Sequence, residues 1–355
     1  MTLLRRSWIP ARSSAKTAAG AFRVASYNVL AQTYIRSELF PYCPRGSLRS
    51  RQRIPKLLNE IGSLEADLLC LQEVDFYESA LENFLSREGY VSVFRKRPGR
   101  KADGCCIAFR GSRFEVLSCA DWCYDTLTSK YGNQRRLRRN NIGMAVVLRD
   151  NYSGVCFVLG TTHMLWDPLD PDVKVLQAAD FVGRALEVAR GFGTPFIVLA
   201  GDLNSTPESH AMRLLFEGSV YMPRPMERVT QDVSGDLVCS ETRREGPQGP
   251  PTSTDPPLHR EALVPEGTLI ELPENFSFCS AYAAVNPDGV DICWTNRRPQ
   301  FTATIDYILV PTSQVDIERA LWSPEGLADD FFLPNEDFPS DHIPVVADLC
   351  FKNGV

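Results

Sequence analysis

The sequence contains no run of about 20 uninterrupted apolar residues, the length that a membrane-spanning helix requires. We therefore expect no segment that crosses a bilayer. It also contains no Cys-x-x-Cys pair, and its eleven cysteines are odd in number and scattered along the chain. This usage is typical of buried thiols in a reducing compartment, and it favours neither a disulfide framework nor a zinc site.

Acidic residues are absent from the first 37 positions, whereas four basic residues occur between residues 1 and 20. With the serines and threonine around them, this profile is typical of an organellar transit peptide and equally of a short, disordered basic leader. We treat residues 1–20 as such a leader. The compartment stays open between cytoplasm, nucleus, mitochondrion and plastid.

Positive charge is in deficit over the whole chain, which has 38 Lys and Arg residues against 44 Asp and Glu residues. The resulting net charge of −6 is a poor match for a protein that coats nucleic acid through charge alone. It is compatible with an enzyme whose carboxylates bind cations, because a bound cation then meets the phosphate of a substrate.

Apolar runs and amphipathic stretches are mixed along residues 21–352, but they do not form a regular βαβ repeat. The apolar spacing predicts helices over residues 53–64 and 172–191. Short apolar or alternating runs predict strands over residues 22–28, 68–71, 105–109, 144–148, 155–160, 196–200, 305–310 and 345–349. This mixture predicts one α/β domain in which two packed sheets are flanked by helices.

Residues 231–267 break this pattern. They contain six prolines among Ser, Thr, Gly and charged residues, with few apolar side chains that a core could bury. We predict a flexible insertion within a single catalytic domain that spans residues 21–352.

Polar residues that could perform catalysis stand at the ends of the predicted strands. They are Asn28, Glu73, His163, Asp202, Asn204, Asp306, Asp341 and His342. Strand ends at one edge of a sheet converge, and catalytic groups are common there. Each residue alone also has a structural explanation, such as a turn for Asp202 or a cap for Glu73. The set is informative because the chain has only four histidines and two of them belong to it.

Six motifs in this order resemble the endonuclease/exonuclease/phosphatase superfamily. They are Ser26-Tyr-Asn28, Leu71-Gln-Glu73, Thr162-His163, Gly201-Asp-Leu-Asn204, Ile305-Asp306-Tyr307 and Ser340-Asp-His342. The resemblance implies a deoxyribonuclease I-like fold, a four-layered α/β sandwich of two mixed sheets. Residues 25–32, 102–105 and 163–174 resemble the carbon-catabolite-repressor deadenylase branch, which also contains nocturnin, the Angel proteins and the 2′,5′-phosphodiesterases. Within that branch, the chain is most similar to short plant-type members without leucine-rich repeats.

The resemblance implies a Mg²⁺-dependent phosphodiesterase with one or two bound ions, for which Mn²⁺ could substitute. Hard oxygen ligands suit Mg²⁺, which is usually held by one or two carboxylates together with waters. The matching positions assign the first ion to Glu73, Asn28 and Asp341. A second ion would lie towards Asp202, Asn204 and His342.

The same resemblance implies which residues perform hydrolysis. Asp202 would orient and deprotonate the attacking water. His342 would bind the scissile phosphate, with its ring fixed by Asp306. Asn204 and His163 would donate to the phosphoryl oxygens as charge develops.

Three residues are implied to bind the substrate. Pro168 and Phe301 match positions that sandwich adenine in the deadenylases, although Phe301 could also be a core aromatic. Asn141 would bind a phosphoryl oxygen.

Two positions depart from the family pattern. Thr161 replaces the usual Asn, which puts a supporting hydrogen bond in doubt, and Asn140 replaces the usual acidic residue, which puts the role of Asn141 in doubt.

The resemblance implies a 3′-exoribonuclease that shortens poly(A) in mRNA turnover, with single-stranded RNA as its partner. The alternative enzyme is a phosphodiesterase or phosphatase that acts on small adenylates, either 2′,5′-oligoadenylate or a dinucleotide phosphate. The non-enzymatic alternative is an inactive scaffold. The retained carboxylates and histidines argue against it. Only 21 residues precede the first predicted strand, so we expect no leucine-rich repeat platform. A deadenylase-complex partner would dock on the catalytic domain, and the oligomeric state stays open.

Overall fold

The computed structural model describes residues 6–11, 20–132, 134–194, 196–226, 229–231, 237–239, 261–273, 276–324 and 327–352. The helices in these ranges are α1 (Ser50–Ser63), α2 (Glu82–Arg87), α3 (Thr128–Tyr131), α4 (Pro171–Gly191), α5 (His210–Glu217) and α6 (Ala281–Val285). Within the described ranges, none of these helices is long and apolar enough to cross a membrane.

Two large sheets contain most of the strands. The first has, in spatial order, β1 (Trp8–Pro10), β18 (Val315–Leu321), β19 (Val345–Phe351), β2 (Phe22–Asn28), β3 (Leu68–Val74), β5 (Gly104–Arg110) and β4 (Tyr90–Lys96). The second has β14 (Cys279–Ser280), β17 (Asp306–Val310), β9 (Ile197–Asp202), β8 (Cys156–His163), β7 (Ile142–Asp150) and β6 (Phe114–Cys123). Three two-stranded ribbons pair β10 (Ser219–Tyr221) with β13 (Leu269–Glu271), β11 (Val229–Gln231) with β12 (Leu237–Cys239), and β15 (Asn296–Arg298) with β16 (Phe301–Ala303).

Buried apolar side chains join these elements into four layers. One group lies between the two sheets and takes side chains from the inner face of each. A second group packs α1 and α2 on the outer face of the first sheet. A third packs α4 and α5 on the outer face of the second sheet. The predicted sandwich of two mixed sheets with flanking helices is therefore confirmed.

The alternation of β2 shows how the sequence sets these layers. Phe22 and Val24 pack between the sheets, whereas Ala25 and Tyr27 pack in the layer that contains α1. Successive side chains of a strand point to opposite faces. Asn28 has the same parity as Phe22 and Val24, so the last residue of the strand points towards the second sheet.

Part of the predicted leader belongs to the first sheet. β1 pairs antiparallel with β18, and the Arg6 guanidinium donates to three backbone oxygens at this edge at 2.7–2.8 Å. The guanidinium groups of Arg23 and Arg319 lie 4.6 and 4.3 Å from the Trp8 ring centroid. Removal of a transit peptide would take this edge strand away. Residues 6–11 are thus ordered in the sheet, which differs from the disorder expected of a leader. The transit-like interpretation stays a prediction, and most of the remaining leader lies outside the described residues.

The predicted flexible insertion also ends earlier than expected. Residues 261–267 contact the domain: the backbone oxygen of Glu261 accepts from Arg136 Nη2 at 2.7 Å. The side chains of Leu263 and Val264 pack on the layer formed by α4 and α5. This end of the insertion thus packs on the domain, while the flexible insertion itself stays a prediction, and most of the rest of it lies outside the described residues.

Candidate active site

Polar side chains from both sheets meet at one edge of the sandwich. β2 and β3 run parallel and carry Asn28 and Glu73 at their ends, while β8 and β9 run parallel and end in His163 and Asp202. Parallel neighbours bring their carboxyl ends to the same edge of a sheet. β17 runs antiparallel to β9, so its first residue, Asp306, pairs directly with Asp202. The structure thus brings five of the predicted site residues together.

Glu73 lies at a register irregularity of β3 and has a φ of 57°, in the left-handed region. Such backbone strain in a non-glycine residue is found mainly at functional positions. The carboxylate accepts from Asn28 Nδ2 at 3.1 Å and from the backbone N–H of Ala31 at 2.9 Å. Burial, together with the charges of Asp103 and Asp341, raises the pKa of Glu73 to about 7. A bound cation would relieve this unfavourable negative charge.

Asp202 is the second carboxylate in contact with Asn28. Asn28 Nδ2 donates to Asp202 Oδ2 at 2.8 Å, and Asn28 Oδ1 accepts from the backbone N–H of Leu30 at 3.0 Å. Asn28 therefore holds Glu73 and Asp202 together. Its role as a Mg²⁺ ligand stays a prediction, because its oxygen is already hydrogen-bonded. Burial and the charge of Asp306 raise the pKa of Asp202 to about 7, which suits a general base at neutral pH.

His342 and Asp306 form a close pair. His342 Nδ1 lies 2.7 Å from Asp306 Oδ2, which also accepts from Thr295 Oγ1 at 2.5 Å. Burial disfavours the charged ring, but Asp306, together with the charges of Asp341 and Asp202, outweighs it and raises the pKa of His342 to about 10. The ring is therefore an imidazolium at neutral pH. Its Nε2 lies 3.9 Å from Asp202 Oδ2, so the cation faces the candidate base.

The donor atoms at this edge fit a hard divalent cation. Asp202, Asp306 and His342 offer ligand atoms that all lie within 4.8 Å of one another. The contact between His342 and Asp306 uses one atom of each, so we assign this pair to ring orientation. The Oδ1 atoms of Asp306 and Asp341 are buried and have no hydrogen-bond partner among the described residues. Buried carboxylate oxygens without a partner are costly, and a cation such as Mg²⁺ satisfies them.

His163 is buried beside both carboxylates. Its Nε2 lies 3.6 Å from Asp202 Oδ2 and 3.9 Å from Glu73 Oε1. Burial and the positive charge of Arg97 lower the pKa of His163 to about 3. The ring is therefore neutral, and these contacts are not ion pairs. Asn141 Nδ2 donates to the backbone oxygen of His163 at 3.1 Å, so Asn141 supports His163, and its own contact with phosphate stays a prediction.

Pro168 and Phe301 are both exposed, and Phe301 retains 38% of its accessible surface. The Arg298 guanidinium lies 5.9 Å from the Phe301 ring centroid, and Arg298 Nε lies 3.5 Å from Asp341 Oδ2. The alternative interpretation of Phe301 as a core aromatic is therefore wrong. Arg298 links this ring to the candidate metal site, while the adenine sandwich itself stays a prediction.

Hydrogen bonds account for the two departures from the family pattern. Thr161 Oγ1 accepts from Gln72 Nε2 at 3.0 Å, so the threonine is hydrogen-bonded to the residue that precedes Glu73. Asn140 has a φ of 56°, and its backbone oxygen accepts from Arg97 Nε at 2.9 Å. The chain before Asn141 is therefore fixed without an acidic side chain at position 140.

Sequence reasoning did not identify two residues that shape the site. Arg53 is buried in α1 and donates to the backbone oxygens of Val29, Leu30 and Pro339 at 2.6–2.8 Å. It ties the loop after β2 to the loop before β19, and an arginine in an amphipathic helix carries no sequence signal for such a role. Asp103 is fully buried, and its only signal in the sequence was its place in residues 102–105, which resemble the deadenylase branch.

Asn204 is held by three hydrogen bonds in a strained conformation with a φ of 49°. Its N–H donates to Asp202 Oδ1 at 2.9 Å, and its Nδ2 donates to the backbone oxygen of Met164 at 3.1 Å. Lys174 Nζ donates to the carbonyl oxygen of Asn204 at 2.5 Å. Burial lowers the pKa of Lys174 to about 8, so the amine is mostly charged at neutral pH. Lys174 is thus a positioning residue for Asn204.

Lys174→Met is expected to lower kcat by roughly 10-fold to 100-fold with little change in KM. A lost charge-assisted hydrogen bond is worth about 1.5–3 kcal/mol, and here it holds a strained backbone in place. Steady-state kinetics would measure this, with Arg184→Met on the same helix as the control and Lys174→Arg as a test of partial rescue. A variant with wild-type kcat and a lowered melting temperature would show that Lys174 has only a structural role.

Comparison with known sequences identifies the family. Residues 25–342 match the model of the Endonuclease/Exonuclease/phosphatase family. Carbon catabolite repressor protein 4 homolog 4 of Arabidopsis thaliana is 29% identical over 367 residues, which cover 92% of this chain and 77% of that protein. The CCR4-Not complex 3′-5′-exoribonuclease subunit Ccr4 of Saccharomyces cerevisiae is 27% identical, with 93% of this chain and 39% of that protein covered.

Comparison with solved structures supports the same family assignment. The structure of ANGEL2, a 2′,3′-cyclic phosphatase, in complex with adenosine-2′,3′-vanadate is 27% identical to this chain, with a TM-score of 0.73 and coverage of 98% of this chain and 99% of that one. The family match includes all six motifs and every residue of the site described above. The chain belongs to the endonuclease/exonuclease/phosphatase family, and its relatives are of the carbon-catabolite-repressor, Angel and nocturnin type.

Proposed function

We propose that this protein is a Mg²⁺-dependent 3′-exoribonuclease that shortens poly(A). The observation that carries the proposal is the position of Asp202, which accepts from Asn28 and lies 3.6 Å from His163 Nε2 and 3.9 Å from His342 Nε2. One carboxylate with a raised pKa thus faces a neutral and a cationic imidazole. Attack of water on a phosphodiester needs this combination of a base and phosphate-binding donors.

Glu73 and Asp341 would hold the Mg²⁺ ion, with Asn28 orienting Glu73. A second ion would lie towards Asp202 and Asn204. When bound, the cation neutralises phosphoryl charge and makes a bound water more acidic. The unsatisfied oxygen of Asp341 and the raised pKa of Glu73 support this assignment.

The other residues act on the substrate directly or through a neighbour. Asp202 accepts the proton of the attacking water. His342 binds the scissile phosphate as an imidazolium whose Nδ1–H is held by Asp306. His163 and Asn204 donate to the phosphoryl oxygens, and their fixed positions mean that little reorganisation is needed as charge develops.

Hydrolysis of small adenylates is the second candidate function. The similarity to ANGEL2, a 2′,3′-cyclic phosphatase, favours a terminal cyclic phosphate as one such substrate. Both functions hydrolyse a phosphate ester with the same residues, so they differ in the bond that is cut: an internucleotide 3′,5′ linkage in the first case and a terminal or 2′,5′ linkage in the second. The relative in the CCR4-Not complex supports a deadenylase-complex partner, which would contact the catalytic domain. We place the protein in the cytoplasm or nucleus on the basis of its similarity to the CCR4-Not complex subunit of Saccharomyces cerevisiae.

Phe301→Ala tests the preference for adenine. If Phe301 stacks on adenine, its loss should lower kcat/KM on oligoadenylate by about 1–3 kcal/mol and narrow the preference for A over U or C. The melting temperature should change little, because the ring is exposed.

Phe192→Ala is the matched control, since Phe192 is an exposed aromatic just after α4, at the opposite edge of the sheets. Kinetics on oligoadenylate, oligouridylate and oligocytidylate would measure the effect. Equal losses on all three substrates would remove Phe301 from adenine recognition.

A further inference from the structure

Basic residues are concentrated beside the candidate active site, although the chain is acidic overall. Nine of the 38 Lys and Arg residues fall within residues 95–101 and 134–140, two segments without Asp or Glu. The first segment leads from β4 towards β5, where Gly104 pairs with Val74 at the end of β3. The second precedes β7, whose first residue pairs with His163. Both segments therefore border the edge at which the catalytic candidates meet.

A buried arginine holds the two segments together. Arg97 Nε donates to the backbone oxygen of Asn140 at 2.9 Å, and Arg97 Nη2 donates to that of Arg139 at 2.9 Å. The third nitrogen, Nη1, lies 3.3 Å from Asp103 Oδ2, with both side chains buried. The two basic segments thus form one continuous surface with a fixed spacing.

Ion pairs attach this surface to the loop after β8. Arg136 contacts Asp170 and Asp172, each at 2.7 Å, and Arg139 Nη2 lies 3.4 Å from Asp170 Oδ2. The same loop carries Trp166, which is 52% exposed. An exposed indole in the loop to which a basic surface is paired is a combination suited to single-stranded nucleic acid, because bases stack on the ring while cations contact the backbone.

Several charges of this surface face solvent. Arg100 and Arg138 are exposed, and the Arg139 side chain retains 32% of its accessible surface. Lys101 is half-buried, with its Nζ 5.8 Å from the Tyr34 ring centroid. We call Arg100, Lys101, Arg138, Arg139 and Trp166 the basic rim.

The positive charges of Arg97 and Lys101 affect the pKa of a catalytic candidate, His163. Burial and the charge of Arg97 lower the pKa of Lys101, whereas the charge of Glu73 acts on it in the opposite direction. Lys101 and Arg97 in turn contribute to the lowered pKa of His163. Lys101 follows Arg100 in the chain, and its charge acts on His163.

We propose that the basic rim binds the single-stranded RNA chain that lies 5′ to the scissile phosphate. The proposal rests on the proposed function, because a 3′-exonuclease leaves the rest of the polymer upstream of the bond that it cuts. Arg100 and Arg138 contact backbone phosphates, and Trp166 stacks on a base. A mononucleotide or dinucleotide substrate is too short to reach this surface, so the rim gives the protein a preference for long chains.

The test is the affinity of an Arg100→Gln/Arg138→Gln double variant for an oligoadenylate of about 20 nucleotides, measured by fluorescence anisotropy over a range of salt concentrations. Asp202→Asn is included in every protein so that the RNA stays intact. Two lost phosphate contacts should reduce the slope of log Kd against log salt by about 1.4 and weaken binding roughly 10-fold at moderate salt. Trp166→Ala should weaken binding by a similar factor with an unchanged slope.

Arg87→Gln is the matched control, because Arg87 is exposed at the end of α2, at the sheet edge opposite the rim. It should leave both the affinity and the slope unchanged. In the background with Asp202 intact, the rim variants should lose at least 10-fold more kcat/KM on the long oligoadenylate than on one of about three nucleotides. Rim variants that behave like Arg87→Gln, or that weaken long and short substrates equally, would overturn the proposal.

Failure of the rim and failure of the proposed function give different results. If RNA binding depends on salt and on the basic rim but the wild-type protein does not shorten RNA, the proposal for the rim stands and the exonuclease function is refuted. Shortening of RNA that is insensitive to the rim variants would refute the rim alone.

Discussion

Glu73→Gln is expected to lower kcat by at least about 10³-fold. Glu73 is the principal candidate ligand of Mg²⁺, and a metal ion contributes several kcal/mol of transition-state stabilisation in hydrolysis. The isosteric amide keeps the acceptor that faces Asn28 but places its NH₂ towards the backbone N–H of Ala31, so the loss would come from the missing charge together with one hydrogen bond. Steady-state kinetics at saturating Mg²⁺ would measure it.

The same substitution should leave the melting temperature unchanged or raise it when metal is chelated. Burial, with the charges of Asp103 and Asp341, raises the pKa of Glu73 from 4.5 to about 7 in the folded protein. A carboxyl whose pKa is raised on folding reduces stability increasingly as pH rises from the unfolded to the folded value. The advantage of glutamine should therefore be absent below about pH 4.5 and complete above about pH 7. Added Mg²⁺ should stabilise the wild type and not the variant.

Glu78→Gln provides the control, because Glu78 is exposed five residues further along the chain. It should change neither kcat nor the response of the melting temperature to Mg²⁺. If Glu73→Gln kept its Mg²⁺-dependent stabilisation, Glu73 would not be the ligand, whatever happened to activity.

Asp202→Asn is expected to lower kcat by about 10³-fold while KM stays within a few-fold. A positioned general base contributes about 10²–10⁴-fold, and asparagine preserves the acceptor for the Asn204 N–H while removing the basic site. A base must be deprotonated to act, so kcat/KM of the wild type should rise with pH through the titration of Asp202. The variant should lack this acid limb in its pH profile.

Asp337→Asn is the matched control, since Asp337 is exposed in the loop before β19. A loss of about 10²-fold or less in Asp202→Asn, at saturating Mg²⁺, would exclude Asp202 from the role of base. An unchanged pH profile would lead to the same conclusion.

The convergence of the site could be predicted from the sequence because each catalytic candidate stands at one end of a buried apolar run, after it for Asp202 and before it for Asp306. Residues 196–200 predict a strand, and the structure extends it to Asp202, which pairs with Asp306 on β17. The strand extends this far because Asp202 still pairs with a neighbouring strand on each side, β8 and β17. Prediction from apolar character therefore locates the strand but stops short of the residues that perform the chemistry.

Short and half-exposed strands were not predictable in the same way. β4 and β18 alternate irregularly between buried and exposed residues because one flank or face meets solvent. β1 has only three residues, and its sequence lies within a basic stretch that is also typical of a leader. A short or half-exposed strand forms because a neighbouring strand offers hydrogen bonds, and that information is absent from its own residues.

Long-range polar contacts could not be predicted from the sequence either. Arg53 and Lys174 hold the backbone of site loops through hydrogen bonds to carbonyl oxygens. A carbonyl oxygen is present in every residue, so no residue type marks the partner. The carboxylates and histidines were identified because few residue types can perform their chemistry, whereas the residues that position them could be found only from the structure.

The most direct test of Mg²⁺-dependent poly(A) shortening is a parallel assay of the purified protein on four substrates, each with Mg²⁺ and with EDTA. The substrates are a 3′,5′-linked oligoadenylate, a 2′,5′-linked oligoadenylate, a dinucleotide phosphate and an oligoadenylate that ends in a 2′,3′-cyclic phosphate. We predict stepwise release of 5′-AMP from the 3′ end of the first substrate, faster than any reaction of the others and abolished by EDTA. Turnover of only the small adenylates or of the cyclic phosphate, or shortening that persists in EDTA, would contradict it.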